Sequence, residues 1–281
     1  MPQRNTRSNG TGLSKPGSES LLAALSQTGS LEGLDLDSTF QVDNFHPQSN
    51  AAIAVYQPSL AVIIPSLDEA NTILRVVSKL TLVTPDASIT VVDGISSDGS
   101  REMARKAGAK VLLEPKRGYG RAIRRGIHSV SADFYAMVDA DDTYDLAVMP
   151  KMLELATKGQ VVIGHRYGEG PNQGMSLSHS VGNRVLSIVH SILFRQKVND
   201  TQSGMKIFPA QIAQALREDG MALSSEILVV ARKLNFRVTE VPVRYSVRHL
   251  NSKSKFRFWK DGIPVLLFMV FSRLRRKSNK P

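Results

Sequence analysis

The stretch Phe134-Tyr135-Ala136-Met137-Val138-Asp139-Ala140-Asp141-Asp142-Thr143-Tyr144-Asp145 passes from apolar to acidic within a few residues. Its first half reads as a buried β-strand. Four carboxylates come next, at Asp139, Asp141, Asp142 and Asp145. Carboxylates this close repel and raise one another's pKa unless a positive charge sits among them. A hard divalent cation, Mg2+ or Mn2+, suits them, because it takes carboxylate oxygens and leaves room for phosphates. In an extended segment Asp139 and Asp141 share a face, since side chains alternate. The spacing therefore predicts one metal–diphosphate site at the end of a strand. The plain alternative is a solvated acidic turn, and the rest of the chain weighs against it.

Upstream the same arrangement recurs. Leu60-Ala61-Val62-Ile63-Ile64-Pro65 is a continuous apolar run of the kind buried in parallel sheets. Ser66-Leu67-Asp68-Glu69-Ala70-Asn71 comes after it, and then Ile73, Val76, Val77 and Leu80 repeat at helical spacing. A second strand, Ile89-Thr90-Val91-Val92-Asp93, ends on an acid. Beyond it Gly94 to Ser100 turns the chain, with Ser97 or Asp98 placed to cap a helix. A third strand is Lys110-Val111-Leu112-Leu113, and the next helix opens at Lys116-Arg117-Gly118-Tyr119-Gly120-Arg121. Such alternation predicts an α/β fold, a mostly parallel central sheet flanked by helices. Open parallel sheets bind ligands beyond the carboxyl ends of their strands. Asp68, Glu69, Asp93, Asp98 and the Asp139 cluster all fall at such ends, a repetition that solubility alone does not explain.

The second half is less regular. Strands are expected at Gln160-Val161-Val162-Ile163-Gly164, Met205-Lys206-Ile207-Phe208 and Arg237 to Val243. Helices are expected from Leu177 to Phe194 and from Glu226 to Leu234. His165-Arg166 lies just past one strand, and Asn199-Asp200-Thr201-Gln202-Ser203-Gly204 just before another. The histidines show no metal-ligand spacing, and His179 and His190 read as surface or satisfied core residues. Glu240 reads as structural.

In this order, Ile64-Pro65 with Glu69-Ala70-Asn71, Val92-Asp93 with Ser96-Ser97-Asp98-Gly99, Gly118 with Gly120, and Asp139-Ala140-Asp141 resemble the family 2 glycosyltransferases of the GT-A fold. Asp200-Thr201-Gln202-Ser203-Gly204, Glu240-Val241-Pro242-Val243, and Arg248 with Ser254-Lys255 look like the polyprenyl-phosphate sugar transferases within it. The resemblance spans residues 60–260. It implies that Pro65, Asp68 and Glu69 line the base and ribose pocket and that Asp93 contacts the nucleoside. It implies that Asp139, with Ala140 beside it, approaches the ribose and diphosphate. Asp141 would hold the metal with Asp139, and Thr143 is a further candidate there. Arg166 would steady the diphosphate, and Arg248 and Lys255 would meet phosphates of donor or acceptor. Gly94 stands where many relatives carry a second acid, so a UDP-sugar and a GDP-sugar both stay open. The implied acceptor is a dolichyl or undecaprenyl phosphate, glycosylated with inversion, and a soluble or glycan hydroxyl is the alternative. A lipid phosphate is already anionic and needs no strong base. A hydroxyl needs one, for which Asp142 and Glu226 are candidates.

Composition sets the bounds. A hydrophobic fraction of 42% permits a real core, and zero cysteines exclude disulfides and thiolate metal sites. Of the net charge of +11, nearly all lies in residues 244–281, which hold eleven basic side chains against Asp261. Such an end favours a polyanion: nucleic acid, an anionic membrane or a phosphorylated substrate. Phe256, Phe258 and Trp259 among the basic residues fit a nucleic-acid binder, and a membrane-docked adaptor is the other non-enzymatic reading. Strand-end acids repel phosphate backbones, so nucleic acid is not the expected partner. No basic start precedes an apolar leader, and no run reaches the roughly 18 apolar residues of a spanning helix. Residues 1–58 are expected to be a weakly ordered extension, 59–255 the catalytic domain, and 256–281 a basic amphipathic helix. Ile263 to Phe271 is apolar but too short to span, and Arg273, Arg275, Arg276 and Lys277 come directly after it. The expected location is therefore cytoplasmic, peripheral on the cytoplasmic face of a membrane.

Overall fold

Strand β1 (Leu60–Ser66) shows why the sheet is covered on both sides. Val62 and Ile64 join a core cluster with Ile73, Val76, Val77 and Leu80 of helix α1 (Ile73–Val83). Ala61 and Ile63 join another with Ala122, Ile123 and Ile127 of α3 (Tyr119–Ile127). Alternate residues of a strand face opposite ways, so an unbroken apolar run requires apolar partners on both faces. The computed structural model describes residues 57–167, 175, 177–248 and 261–278. Lys255, the aromatic residues near it and residues 1–56 lie outside the described residues.

The other elements, in chain order, are β2 (Ser88–Asp93), α2 (Ser100–Lys106), β3 (Lys110–Leu113) and β4 (Phe134–Met137). Next come a 3-10 turn (Leu146–Val148), α4 (Met149–Thr157), β5 (Gln160–His165) and α5 (Leu177–Phe194). The chain continues with β6 (Lys206–Pro209), α6 (Ala210–Ala215), α7 (Leu223–Lys233), β7 (Arg237–Pro242) and α8 (Ile263–Ser278). Strand order is β3-β2-β1-β4-β6-β5-β7. Pairs β1–β2, β2–β3, β1–β4 and β5–β7 are parallel, whereas β6 runs antiparallel to both β4 and β5. The less regular second half of the sequence has this cause.

Two consequences position the site. The chain steps outward from β1 to β3 and then returns to the other side of β1, so the carboxyl ends of β1 and β4 flank a switch in strand order. Ligands collect at such a crevice. In addition, Met137 pairs with Lys206, so the residues entering antiparallel β6 face the residues leaving β4. The 200–205 segment is thereby brought to the Asp139 loop. After β7 the chain also returns there. Asp145 N donates to Arg244 O, Ser246 N donates to Thr143 O, and the Tyr144 and Tyr245 rings meet edge to face.

Three sequence expectations differ in detail. The acidic pair lies beyond the last strand residue of β4, so its geometry comes from a turn and not from strand alternation. Helix α7 begins three residues before Glu226, because Leu223 already packs in the core. Helix α2 begins at Ser100 after Gly99 at φ 90°, with Asp98 Oδ1 accepting from Ser100 N.

Helix α3 crosses β1 closely at Gly126, where a Cβ would overlap Ile63 Cγ2. Gly126→Val should therefore cost about 1–3 kcal/mol through overpacking. Urea unfolding checks this: a lower midpoint at unchanged slope is expected.

Candidate active site

The β1 and β2 loops are stitched together by the acids that end them. Asp68 N donates to Ser96 Oγ at 2.9 Å, and Ser97 N donates to Asp68 Oδ1 at 2.9 Å. Ala70 N donates to Asp98 Oδ2, and Glu69 N donates to Ser100 Oγ. Asp68 and Asp98 thus spend oxygens on the loops themselves. Asp93 is fully buried; its Oδ1 accepts from Ser96 N at 2.9 Å, while its Oδ2 has no hydrogen-bond partner among the described residues. That acceptor beside the loops is available for a ligand N–H. Pro65 pairs with Val92 at the same end of the sheet.

The β4 loop holds the acidic pair. Tyr119 Oη donates to Asp139 Oδ1 at 3.2 Å from the first turn of α3. Burial and the neighbouring Asp141 charge push Asp139 up to about 6, with Arg166 and Arg248 pulling the other way. Asp141 Oδ1 accepts from Thr143 N at 3.2 Å and Thr143 Oγ1 at 2.6 Å. Thr143 therefore sits behind Asp141 and orients it. Asp141 Oδ2 forms an ion pair with the Arg248 guanidinium, whose other side lies 3.9 Å from Glu69 Oε1. Ala140 O accepts from Thr72 Oγ1 at 2.8 Å, which anchors the loop to the start of α1. Asp142, at φ 58°, turns away and meets Arg75 and Lys79 at 3.0 and 2.7 Å.

The third component comes from the second half of the chain. Arg166 lies on Asp200 through three bonds, from its backbone N (3.1 Å), Nε (2.8 Å) and Nη2 (2.7 Å), with the Tyr245 ring 5.4 Å away. Asn183 Nδ2 adds a fourth bond to Asp200 at 2.8 Å. Glu240 accepts from Asn199 N and Asp200 N, a structural role as the sequence suggested. Lys206 is fully buried, donating to Thr201 O, Ser203 O and Ser224 Oγ, and burial pulls it down to about 7. Gly204 N donates to Tyr144 Oη at 2.7 Å. A Cβ on Gly204 would overlap Asp139 Oδ2, so only glycine fits against that carboxylate.

Of the predicted residues, Glu69, Asp139, Ala140, Asp141, Thr143, Arg166 and Arg248 form one connected group. Asp68 and Asp93 lie beside it. Asp142 and Glu226 are both occupied elsewhere: Glu226 accepts from Arg217 N and Glu218 N and fixes that turn. Sequence reading missed Tyr119, Asn183 and Lys206. Only Lys206 left a signal, as a lone charge inside an apolar strand. His190 is a buried core residue whose Nε2 meets Gln196 Oε1 at 3.0 Å, while its Nδ1 has no hydrogen-bond partner among the described residues. A cavity of about 420 Å3 beside α3 holds none of these residues, and two of its arginines, Arg121 and Arg124, already pair with Asp219.

Residues 61–216 match the model of glycosyl transferase family 2. This chain belongs to that family. Among relatives of the enzyme, glycosyltransferase AglJ of Haloferax volcanii is 31% identical over 227 residues, 79% of this chain and 74% of that one. A dolichyl-phosphate hexose transferase of the same organism is 30% identical, covering 67% of this chain and 83% of its own length. Glucosyl-3-phosphoglycerate synthase of Mycobacterium tuberculosis, solved with Mn2+, UDP and glucosyl-3-phosphoglycerate, superposes with a TM-score of 0.62 at 18% identity, over 77% of this chain and 80% of that one. The transferase thus has the GT-A fold, with its acids at the strand ends where that fold was expected to place them.

The Gly204 contact gives a direct test. Gly204→Ala must displace the Asp139 carboxylate, and misplacement by an ångström costs about 100-fold in rate. Sugar transfer should fall by about that factor, with the far-ultraviolet circular dichroism unchanged.

Proposed function

We propose that the enzyme moves a hexosyl group from a UDP- or GDP-sugar to a polyprenyl phosphate, with inversion at the anomeric carbon. The observation that carries this reading is the Asp139–Asp141–Arg248 cluster: two carboxylates and a guanidinium at the switch in strand order. Asp142 and Glu226, the two carboxylates considered as bases, are both engaged elsewhere. An acceptor that is already anionic fits this arrangement. The relative named for dolichyl phosphate supports the same acceptor class.

The residues present fit a hard divalent cation. Asp139 and Asp141 supply only oxygen donors, close enough for each charge to affect the other, and a cation already neutralises Asp141. Bound there, Mg2+ or Mn2+ would neutralise charge building on the leaving diphosphate. Asp139 and Asp141 would hold it, and Thr143 would orient Asp141. Asp93 would accept from the nucleoside base through its spare oxygen, and Glu69, Asp68 and Pro65 would border that pocket. Arg248, once it leaves Asp141, would meet a phosphate, with Lys255 following on the same segment. Arg166 would act from its place on Asp200, contributing positive charge. An oxygen of the lipid phosphate attacks the anomeric carbon as the bond to the diphosphate breaks. The nucleoside diphosphate departs with the electron pair. We place the reaction at the cytoplasmic face of a membrane, with residues 59–255 as the catalytic domain and 256–281 as the peripheral contact.

Product analysis with a panel of nucleotide sugars, with and without polyprenyl phosphate, tests this reading. A glycosylated lipid phosphate from one donor is expected. Transfer to a hydroxyl acceptor alone would overturn it.

Two substitutions test the roles. Asp141→Ala should abolish transfer in a folded protein, and EDTA should do so reversibly. Arg248→Ala should slow transfer about 10- to 100-fold, the range of a charge-assisted phosphate contact. It should also tighten Mn2+ binding in the absence of donor, because Asp141 loses its internal counter-ion. Paramagnetic resonance of free Mn2+ measures this, and equal affinity in variant and wild type would remove the competition.

A further inference from the structure

Helix α5 has an outward face that its protein contacts do not explain. Val181, Val185, Ile188 and Ile192 are 54%, 48%, 55% and 71% exposed, spaced so that they form one stripe along the helix. Scattered exposed apolar residues are ordinary, but a continuous stripe marks an interaction surface. Helix α8 packs beside α5 and carries a matching stripe: Ile263, Leu267, Phe271 and Leu274 are all 47–55% exposed. The inner faces of the pair are already used. Leu186 and Phe194 of α5 and Val265 and Met269 of α8 share a core cluster with Val229 of α7.

The charges around these stripes identify the occupant. Neither helix contains an aspartate or glutamate. Arg184 lies within the α5 stripe, and Arg195 and Lys197 are exposed just past its end. Arg275 is exposed beside the α8 stripe, and Arg273 is half-buried on the helix flank. A second copy of this chain would set these cations against their own kind. A bilayer with anionic headgroups supplies both an apolar layer for the stripes and negative charge for the rims. Neither helix crosses: among the described residues none is long and apolar enough to span a membrane.

We infer that α5 and α8 together form a membrane-seating surface, with both stripes in the interface of an anionic leaflet. The sequence marked only the α8 end; the α5 half comes from the structure. Its inner side ties this surface to the active site. Asn183 donates to Asp200, and Ser187 Oγ accepts from Thr201 N at 3.1 Å. The helix that rests on lipid thus also holds the loop that fits Gly204 against Asp139, which brings a lipid-borne phosphate to the acidic cluster. The inference deepens the lipid-acceptor reading, but membrane binding is measurable without any transfer.

The test is flotation of the full chain with phosphatidylcholine vesicles, with and without phosphatidylglycerol. Wild type should float with the anionic vesicles and be released by high salt. Ile188→Asp and Ile192→Asp should each reduce the bound fraction at least 10-fold, as should Leu267→Asp. Ile192→Ser, milder at the most exposed position, should give a smaller loss. The thermal midpoints of these variants should match wild type, since the substituted side chains lie outside the core. Wild-type flotation of Ile188→Asp and Ile192→Asp would overturn the proposal. So would a dimer, seen by sedimentation, that Ile192→Asp dissociates without any vesicle binding. Transfer to a short, water-soluble polyprenyl phosphate is assayed in parallel. If wild type lacks that transfer while the variants still lose flotation, the acceptor reading fails and the membrane surface stands.

Discussion

Asp200 accepts four hydrogen bonds in a fully buried place, three from Arg166 and one from Asn183. Burial alone would raise its pKa; Arg166, with Lys206 adding to it, offsets this and holds the carboxyl below its usual range. The bonds join three successive parts of the second half of the chain: the end of β5, helix α5, and the loop that enters β6. Removing one partner of a buried ion pair leaves an uncompensated charge, at a cost of about 3–5 kcal/mol. The pair therefore fixes the loop that enters β6, whose Gly204 meets the first half of the chain at Tyr144 and Asp139. Lys206 adds a constraint from below, fastening the carbonyls of Thr201 and Ser203.

The consequence is a glycine held against a carboxylate. Gly204 is fastened by Tyr144 and lies so close to Asp139 that no side chain fits between them. Tyr119 approaches the same carboxylate from α3. Asp139 is thus enclosed on two sides, with its proton affinity raised and its direction fixed. Asp141 is set differently, with Thr143 behind it and Arg248 in front. The arginine occupies the place where positive charge is needed, so it keeps two adjacent acids compatible with a folded loop. In the proposed reading a cation arriving at this site exchanges with Arg248 as the counter-ion of Asp141.

The parallel half of the fold was legible because its strands are apolar on both faces and alternate with helical patterns, which together suit an α/β sheet. The placement of acids at strand ends was legible for the same reason, once the strands were located. The antiparallel entry of β6 was not, since four residues of strand carry no mark of direction. Without that direction, the approach of Gly204 to Asp139 could not be foreseen. The family motif pointed to Asp200 but not to its partner: Arg166 was expected on a diphosphate, and its guanidinium turned out to be bound to Asp200 first. Asp142 looked like a candidate base from its neighbours in sequence, yet its positive φ turns it toward Arg75 and Lys79. The outward stripe of α5 was read simply as helix, because periodicity shows that a face is apolar and not what that face meets.

The most direct test of this account is the turnover of Asp200→Asn, measured at saturating donor in protein that circular dichroism shows to be folded. The substitution keeps the size of the side chain and removes its charge. If Asp200 holds the loop that shapes the Asp139 site, turnover should fall about 100-fold, the cost of an ångström's misplacement of the acid. Turnover equal to wild type would contradict the account, because the site would then keep its geometry without the interaction said to fix it.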